Sequence, residues 1–331
     1  MKIGNKLWFY ILLLVGILFI YLSFKKLEIK NIISIIKAGN YWAVIPVFIV
    51  SIFGYYIRTL RWKMLLNSMD AAPKTKHLFA ALSIGYAVNF ATPRLGEIAR
   101  CMVLKKTNNT AINQSIMTIV IERIIDVCCL LVLIFLTAYF NIAESASFIQ
   151  HNLIIPVKSA IQNINWLFLI MVVAAGGFIF YLLYLRFKNS TRIKQWILRF
   201  YLHIKQLAQL PEKGIFGMYT FLIWLCYFMM TFLWFTIFAE TATLGMKDAF
   251  IIMVVGSIGR SIPIQGGGMG AYHYLVSNAF TLFGVSLSLG YAMAIVIHGA
   301  QLLLTFALGL ISWFWILIHE KSKNENNSIA H

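Results

Sequence analysis

The feature that most constrains this chain is a succession of apolar segments, each close to the length that crosses a lipid bilayer. An α-helix needs about 20 mostly apolar residues to span the hydrocarbon core. Uninterrupted segments of about that length lie at residues 7–24, 41–60, 112–140, 164–186, 215–239 and 288–318. Because helices satisfy all their backbone hydrogen bonds internally in lipid, the pattern predicts an all-α polytopic membrane protein.

The composition excludes a soluble domain. Of 331 residues, 60% are hydrophobic and 12% are charged, whereas soluble domains carry about 25% charged residues. The formal net charge of +17 does not indicate nucleic-acid binding, because the Lys and Arg residues stand mainly between the apolar segments, as in membrane proteins. The four cysteines form no CxxC pair and have no histidine at metal spacing, so neither a metal site nor a cofactor is predicted.

Two further apolar regions, residues 77–104 and 248–284, contain helix-breaking residues. The predicted structural breaks are Pro93, Gly96, Pro263, Gly267, Gly268 and Gly270. Proline removes a backbone donor and kinks a helix, and glycine weakens it. Basic residues flank the first region on both sides, so both of its ends are predicted to be cytoplasmic. The region is therefore predicted to be a re-entrant broken helix, and the same reasoning makes the second region re-entrant from outside.

The charges of the loops complete the predicted topology. Residues 186–214 carry seven basic residues and one acid, whereas residues 141–163 carry one of each; the positive-inside rule places the first loop in the cytoplasm and the second outside. The prediction is about six full transmembrane helices plus two re-entrant broken helices. Each half has the order span, span, broken helix, span, in opposite orientations, an inverted repeat typical of transporters.

This topology divides one integral membrane domain, residues 1–331, into smaller parts. The predicted parts are the repeat halves 1–140 and 164–318, an amphipathic cytoplasmic linker 187–214 and a polar cytoplasmic tail 319–331. Both termini are predicted to be cytoplasmic, in a multi-pass protein of the cell membrane. Residues 25–40 do not follow the positive-inside rule, because they are lysine-rich but lie on the outer side in this topology. We interpret them as an interfacial helix with an apolar stripe of isoleucines.

The two breaks are predicted to meet at a cavity, because irregular backbone at membrane depth is tolerated only where protein or a cavity receives it. A half-helix beginning at Pro93 would direct its positive N-terminus into that cavity. Arginine recognises phosphate well because its guanidinium binds two oxygens. The predicted substrate-binding residues are Asn89, Arg94, Glu97, Arg100, Arg260 and Gln265. The alternative is that each arginine only neutralises a nearby carboxylate such as Glu97.

A second candidate group lies within the 112–140 segment. Glu122 and Asp126 are four residues apart and share a helix face, with Arg123 beside them. One interpretation is a proton or ion relay, or a contact to a cationic headgroup, and His273 is a further titratable candidate for the relay. The other is a buried ion-pair network with Arg94 or Arg100. No nucleophile–base pair or phosphate-binding loop is present, so no catalytic residue is predicted.

Four motifs, in order along the chain, carry a resemblance to a known family. They are Arg58-x-x-Arg61-Trp62-x-x-Leu65-Leu66, Gly85-x-x-x-Asn89-x-x-x-Pro93-Arg94-x-Gly96-Glu97-x-x-Arg100, Glu122-Arg123-x-x-Asp126 and Pro263-x-x-x-Gly267-Gly268-x-Gly270. With them the chain resembles the transmembrane flippase-like family of the lysylphosphatidylglycerol synthases. The resemblance implies movement of polar lipids or lipid-linked intermediates between leaflets. It also implies roles for Asn89, Arg94, Glu97, Arg100, Glu122, Arg123 and Asp126.

Two departures from the family narrow the expected function. His273 stands where the family often has an acid after the glycines. The bifunctional members carry a cytoplasmic aminoacyltransferase domain, which the short polar tail here is too small to form. The chain is therefore expected to be a lipid translocase and no enzyme, acting on membrane lipids with a polar or anionic headgroup.

The alternatives are an intramembrane subunit of a lipid-modifying enzyme, with Glu122 and Asp126 as acid and base, and a non-catalytic assembly protein. Candidate protein partners are a second copy of the chain or a lipid-modifying enzyme.

Overall fold

Helices connected by short turns build the whole described part of the chain. The computed structural model describes residues 29–69, 71–92, 95–140, 212–262 and 265–329, with the isolated residues 177, 181, 185 and 186. None of these residues lies in a β-strand, which confirms the predicted all-α class over this part of the chain. The contacts below lie within one compact unit, residues 1–140 and 212–331. The predicted segment 7–24, and nearly all of the segment 164–186 and of the 187–214 linker, lie outside the described residues.

The main helices follow the apolar pattern of the sequence. In chain order they are α1 (Ile29–Lys37), α2 (Val44–Asn67), α3 (Thr75–Ala91), α4 (Leu95–Asn108), α5 (Ile112–Phe140), α6 (Lys213–Trp234), α7 (Met246–Ser261), α8 (Ala271–Thr281) and α9 (Leu287–Ile329). Short 3₁₀ turns, Tyr41–Ala43 and Phe235–Ile237, precede α2 and follow α6. A short glycine-rich segment, Gln265–Gly268, stands between α7 and α8.

Three helical stretches of the described residues are long and apolar enough to cross a membrane: Tyr41–Asn67, Lys213–Ile237 and Leu287–His319. They correspond to the predicted spans 41–60, 215–239 and 288–318. The last helix differs from its prediction, because α9 continues through most of the predicted polar tail to Ile329. No proline or glycine follows Gly309 to stop it, and Glu and Lys are good helix formers.

The first broken region folds into a helical hairpin of α3 and α4. The two helices approach so closely that a Cβ atom on Gly96 would lie 1.9 Å from the carbonyl oxygen of Gly85. The ring Nδ1 of His77, near the start of α3, is 2.7 Å from the side-chain Oδ1 of Asn108 at the end of α4. The chain therefore enters and leaves the hairpin at the same end. With 17 and 14 residues, the helices are about 26 and 21 Å long.

The second broken region forms a similar hairpin of α7 and α8. Gly266 and Gly267 both have φ of +67°, a left-handed conformation that favours glycine. A Cβ atom on Gly268 would lie 2.6 Å from the carbonyl oxygen of Gly259, so the turn is also packed against α7. The Phe280 ring near the end of α8 lies 5.8 Å from the ring of Phe235, which is in the 3₁₀ turn after α6, on the chain's way into α7. This hairpin also returns the chain to the end from which it came.

The two interruptions lie beside each other in the fold. A Cβ atom on Gly267 would lie 3.1 Å from the Phe90 ring at the end of α3. Helix α9 packs against both hairpins, through α3 and through α8, and its His298 ring is 6.0 Å from that of Phe90. Breaks more than 160 residues apart in the sequence are thus brought together by packing on α9.

The lysine-rich connection before the first described span is partly helical, as α1. Ile32 is buried against Tyr291 and Ala292 of α9, whereas Ile33 is exposed. Lys30 and Lys37 are both exposed. The isoleucine stripe therefore divides, with one side packed on α9 and the other facing away from the protein.

Candidate functional site

A cluster of buried charged side chains lies where α2, α4 and α5 meet. Arg58 and Arg61 are three residues apart on α2, so they project from one face of that helix. Glu122 and Asp126 occupy one face of α5 in the same way, and Arg100 reaches the cluster from α4. The spacing on each helix is local, but only the packing of three helices brings the opposite charges together.

Glu122 is the centre of this charge cluster. Its carboxylate is completely buried, with Oε2 at 2.8 Å from Arg100 Nη2. Its other oxygen, Oε1, lies 3.3 Å from Arg61 Nη2 and 3.7 Å from Arg58 Nη1. Asp126 is 2.7 Å from Arg61 and 3.3 Å from Arg58. Three guanidinium groups therefore surround one carboxylate, in the geometry that a buried ion-pair network requires.

Polar and aromatic neighbours hold the arginines in place. Arg58 donates a hydrogen bond of 2.5 Å to the Tyr86 hydroxyl of α3. The Arg100 guanidinium lies 4.5 Å above the Trp62 ring, a cation–π arrangement. Trp62 in turn donates from Nε1 to Thr118 Oγ1 over 2.9 Å. These contacts restrict the orientation of the Arg58 and Arg100 guanidinium groups.

A small hollow lies beside the cluster, inside the α3–α4 hairpin. Its lining residues are Gly85, Tyr86, Asn89, Gly96, Glu97, Arg100 and Arg123. Asn89 Oδ1 accepts a hydrogen bond of 2.8 Å from the Gly96 backbone N–H, so Asn89 fastens the hairpin. Glu97 lies 3.7 Å from Arg123. Nε and Nη1 of Arg100 have no hydrogen-bond partner among the described residues.

A larger open cavity, of about 40 Å³, is bounded by α2, α6, α7, α8 and α9. Its lining residues are Val47, Phe48, Ser51, Tyr227, Met230, Thr231, Trp234, Ile252, Met253, Gly256, Ser257, Arg260, Tyr272, Ile297, Gln301 and Leu304. Arg260 is the one charged side chain among them. It donates to the Tyr272 hydroxyl over 3.1 Å, and its Cζ lies 4.6 Å from that ring centroid. Its buried Nε has no hydrogen-bond partner among the described residues.

The cavity and the charge cluster are neighbours that share a wall. The Tyr227 ring lines the cavity and lies 5.9 Å from the Arg58 guanidinium carbon. Helix α2 contributes to both, with Ser51 in the cavity and Arg58 in the cluster. A mixed lining of this kind can receive a molecule that is partly apolar and carries an anionic group.

The predicted substrate-binding residues fall into two places rather than one cavity. Arg260 lines the large cavity, whereas Asn89, Glu97 and Arg100 line the small hollow. Pro93, Arg94, Pro263 and the side chain of Gln265 lie outside the described residues. Thr92 closes α3, because its hydroxyl donates to the Val88 carbonyl oxygen over 3.2 Å.

The predicted relay residues also lie in two separate places. Glu122, Arg123 and Asp126 lie in or beside the charge cluster, but His273 belongs to the second hairpin. Its ring is 4.9 Å from that of His298, and its Nδ1 accepts a hydrogen bond of 3.3 Å from the Gly270 N–H. Within the described residues, no three His, Cys, Asp or Glu side chains are grouped so that they could bind a metal ion.

Sequence reasoning gave no site role to Arg58, Arg61 or Tyr272. The signal for the two arginines was available, because a charge inside an apolar helix must pair with something and they share a helix face. Tyr272 had no such signal. Tyrosines are frequent in membrane proteins, and only the tertiary structure places its hydroxyl on Arg260.

Comparison with known proteins agrees with the membrane character of the chain. A UPF0104 membrane protein of Methanothermobacter thermautotrophicus is 27% identical over 300 residues, covering 80% of this chain and 82% of that protein. A UPF0104 membrane protein of Methanocaldococcus jannaschii is 24% identical over 194 residues, covering 57% of this chain and about half, 54%, of that relative. No solved structure matches the chain. The family model for the lysylphosphatidylglycerol synthase TM region matches residues 9–309, and the chain therefore belongs to that family.

Proposed function

We propose that this protein is a lipid translocase that moves a lipid, or a lipid-linked intermediate, with a polar or anionic headgroup between membrane leaflets. The observation that carries the proposal is the cavity around Arg260. It lies among helices able to span a membrane, its lining is mostly apolar, and its one charged side chain has a hydrogen-bond donor still free among the described residues. A lipid headgroup with attached acyl chains needs both an apolar lining and a compensating charge.

The enzymatic alternative fits the geometry less well. An acid–base pair would need Glu122 or Asp126 to exchange protons with a substrate. Both carboxylates are instead occupied by arginines, and Glu122 is completely buried. The geometry therefore favours a translocase without catalytic residues. It would act alone, as an oligomer or with a lipid-modifying enzyme as its partner.

The proposed topology places this translocase in the cell membrane with both termini cytoplasmic. It has six full transmembrane helices, two re-entrant hairpins and an inverted repeat. Two features support it: the helices of each hairpin are shorter than the hydrocarbon core of about 30 Å, and each hairpin returns to its own starting end. The end that joins α3 and α4 to their neighbours carries Lys63, Lys74, Lys76 and Lys105, which indicates the cytoplasm.

Single-cysteine labelling tests this topology. With Cys101, Cys128, Cys129 and Cys226 replaced, cysteines at the exposed positions Ala72 and Lys105 are expected to react with a membrane-impermeant maleimide only from the cytoplasmic side. Cysteines at the exposed positions Thr243 and Ser286 are expected to react only from outside. Labelling of Ala72→Cys and Lys105→Cys from opposite faces would mean that the first broken region crosses the membrane.

The cavity itself is tested by removing its charge. Arg260→Ala is expected to slow the movement of an acyl-labelled phosphatidylglycerol in sealed proteoliposomes by about tenfold or more, since charge-assisted hydrogen bonds are the strong ones. Arg260→Lys keeps the charge but loses the planar guanidinium, so an intermediate rate is expected. Lys37→Ala, an exposed charge on α1, is the matched control and should leave the rate unchanged. An unchanged rate in Arg260→Ala would remove the cavity from the transport path.

A further inference from the structure

Acidic residues are scarce in this chain, and their positions limit what the cavity can bind. Among the 11 Asp and Glu residues, the interior acids of the described helices are Glu122 and Asp126 within α5 and Glu97 in the first turn of α4. Asp248 is at the start of α7, where it accepts a hydrogen bond of 2.8 Å from the Gly245 N–H. The apolar segments 7–24 and 164–186 contain no acid at all.

All three interior acids are already paired with arginine. Glu122 contacts Arg58, Arg61 and Arg100, Asp126 contacts two of the same arginines, and Glu97 pairs with Arg123. Releasing Glu122 or Asp126 for a ligand would leave a buried arginine without its partner, which is strongly unfavourable. None of the three lines the large cavity.

The cavity lining therefore has one sign of charge. Beside Arg260 it presents neutral hydrogen-bonding groups, from Ser51, Thr231, Ser257 and Gln301. Arg260 can pair with a phosphate oxygen, and the hydroxyl and amide groups can bond to headgroup hydroxyls. An ammonium group would enter without a carboxylate to neutralise it and with a like charge nearby, and both are unfavourable in a desolvated site.

We infer that the cavity selects lipids whose headgroup carries a phosphate and hydroxyl groups but no ammonium group, and that it discriminates against amine-bearing headgroups, including aminoacylated ones. This inference rests on the proposed function and narrows its substrate class.

A lipid-movement assay with matched probes tests the selectivity. Sealed proteoliposomes of phosphatidylcholine receive a trace of acyl-labelled phosphatidylglycerol, lysylphosphatidylglycerol or phosphatidylethanolamine, and a membrane-impermeant quencher reports the rate at which each reaches the other leaflet. We expect phosphatidylglycerol to move at least about tenfold faster than lysylphosphatidylglycerol, because like-charge juxtaposition is strongly disfavoured. Equal rates, or faster movement of the lysyl lipid, would overturn the inference and leave the translocase standing.

A charge reversal assigns the selectivity to its residue. Arg260→Glu is expected to abolish the preference for phosphatidylglycerol and raise the relative rate of the lysyl lipid, whereas Lys37→Glu, with the same change in net charge, should keep the wild-type order. A preference that survives in a folded Arg260→Glu variant would contradict the assignment.

Binding is measured separately so that the two proposals can fail separately. The unfolding midpoint of the protein in detergent is followed as each of the three lipids is added. Stabilisation by phosphatidylglycerol and not by the amine-bearing lipids supports the selectivity even if no lipid crosses the bilayer, a result that would refute only the translocase. Equal stabilisation by all three lipids, or by none, would overturn the inference.

Discussion

Replacing Glu122 by glutamine is expected to lower the free energy of unfolding by about 3–5 kcal/mol, because it leaves buried arginines without their shared counter-charge. The Glu122 carboxylate is completely buried and lies within 3.7 Å of three guanidinium groups. Glutamine has nearly the same shape, so the loss reports the charge and not a cavity. The measurement is the unfolding midpoint of the purified protein, taken together with the rate of lipid movement on the same preparation.

The matched control for this experiment is Glu97→Gln. Glu97 is partly exposed and pairs with one arginine, Arg123, at 3.7 Å. Exposed pairs contribute at most about 1 kcal/mol, so this variant should keep a near-normal midpoint. A Glu122→Gln variant that keeps its stability but loses lipid movement would instead support the proton or ion relay, which the sequence left open.

The second large effect is expected from Gly96→Ala in the first hairpin. A Cβ atom there would lie 1.9 Å from the Gly85 carbonyl oxygen and 2.5 Å from the Asn89 side-chain carbon. Backbone cannot move aside as a flexible side chain can, so the hairpin must open. Overpacking usually costs about 1–3 kcal/mol and sometimes more, and the upper part of that range is expected here. The readout is a fall in the unfolding midpoint.

Gly217→Ala provides the control for this substitution. Gly217 lies in α6, and nothing is within 4 Å of the position of its Cβ atom. Alanine favours a helix interior over glycine by about 0.5–1 kcal/mol, so this variant should be as stable as the wild type or slightly more stable. A Gly96→Ala protein with the wild-type midpoint would mean that α3 and α4 do not cross closely at Gly85.

The helical class, the described spans and both interrupted regions could be predicted from the sequence alone. The reason is that lipid imposes a local requirement: a helix must be apolar for about 20 residues, and that property is contained in consecutive residues. Pro93 and the glycines around Gly267 likewise mark the two interruptions through short stretches of consecutive residues. The position of Glu122 and Asp126 on one helix face also follows from the helical repeat.

Only the tertiary structure decided which charges meet. Sequence spacing could not rank Arg94, Arg100, Arg58 and Arg61 as partners of Glu122, because contacts between helices depend on how α2, α4 and α5 pack and not on distance along the chain. The same packing places Arg260 in a cavity separate from Asn89 and Arg100, with Tyr272 beside it. The charged residues within the apolar helices could be identified from the sequence. Their partners could not, because those contacts depend on long-range packing, which no local sequence pattern contains.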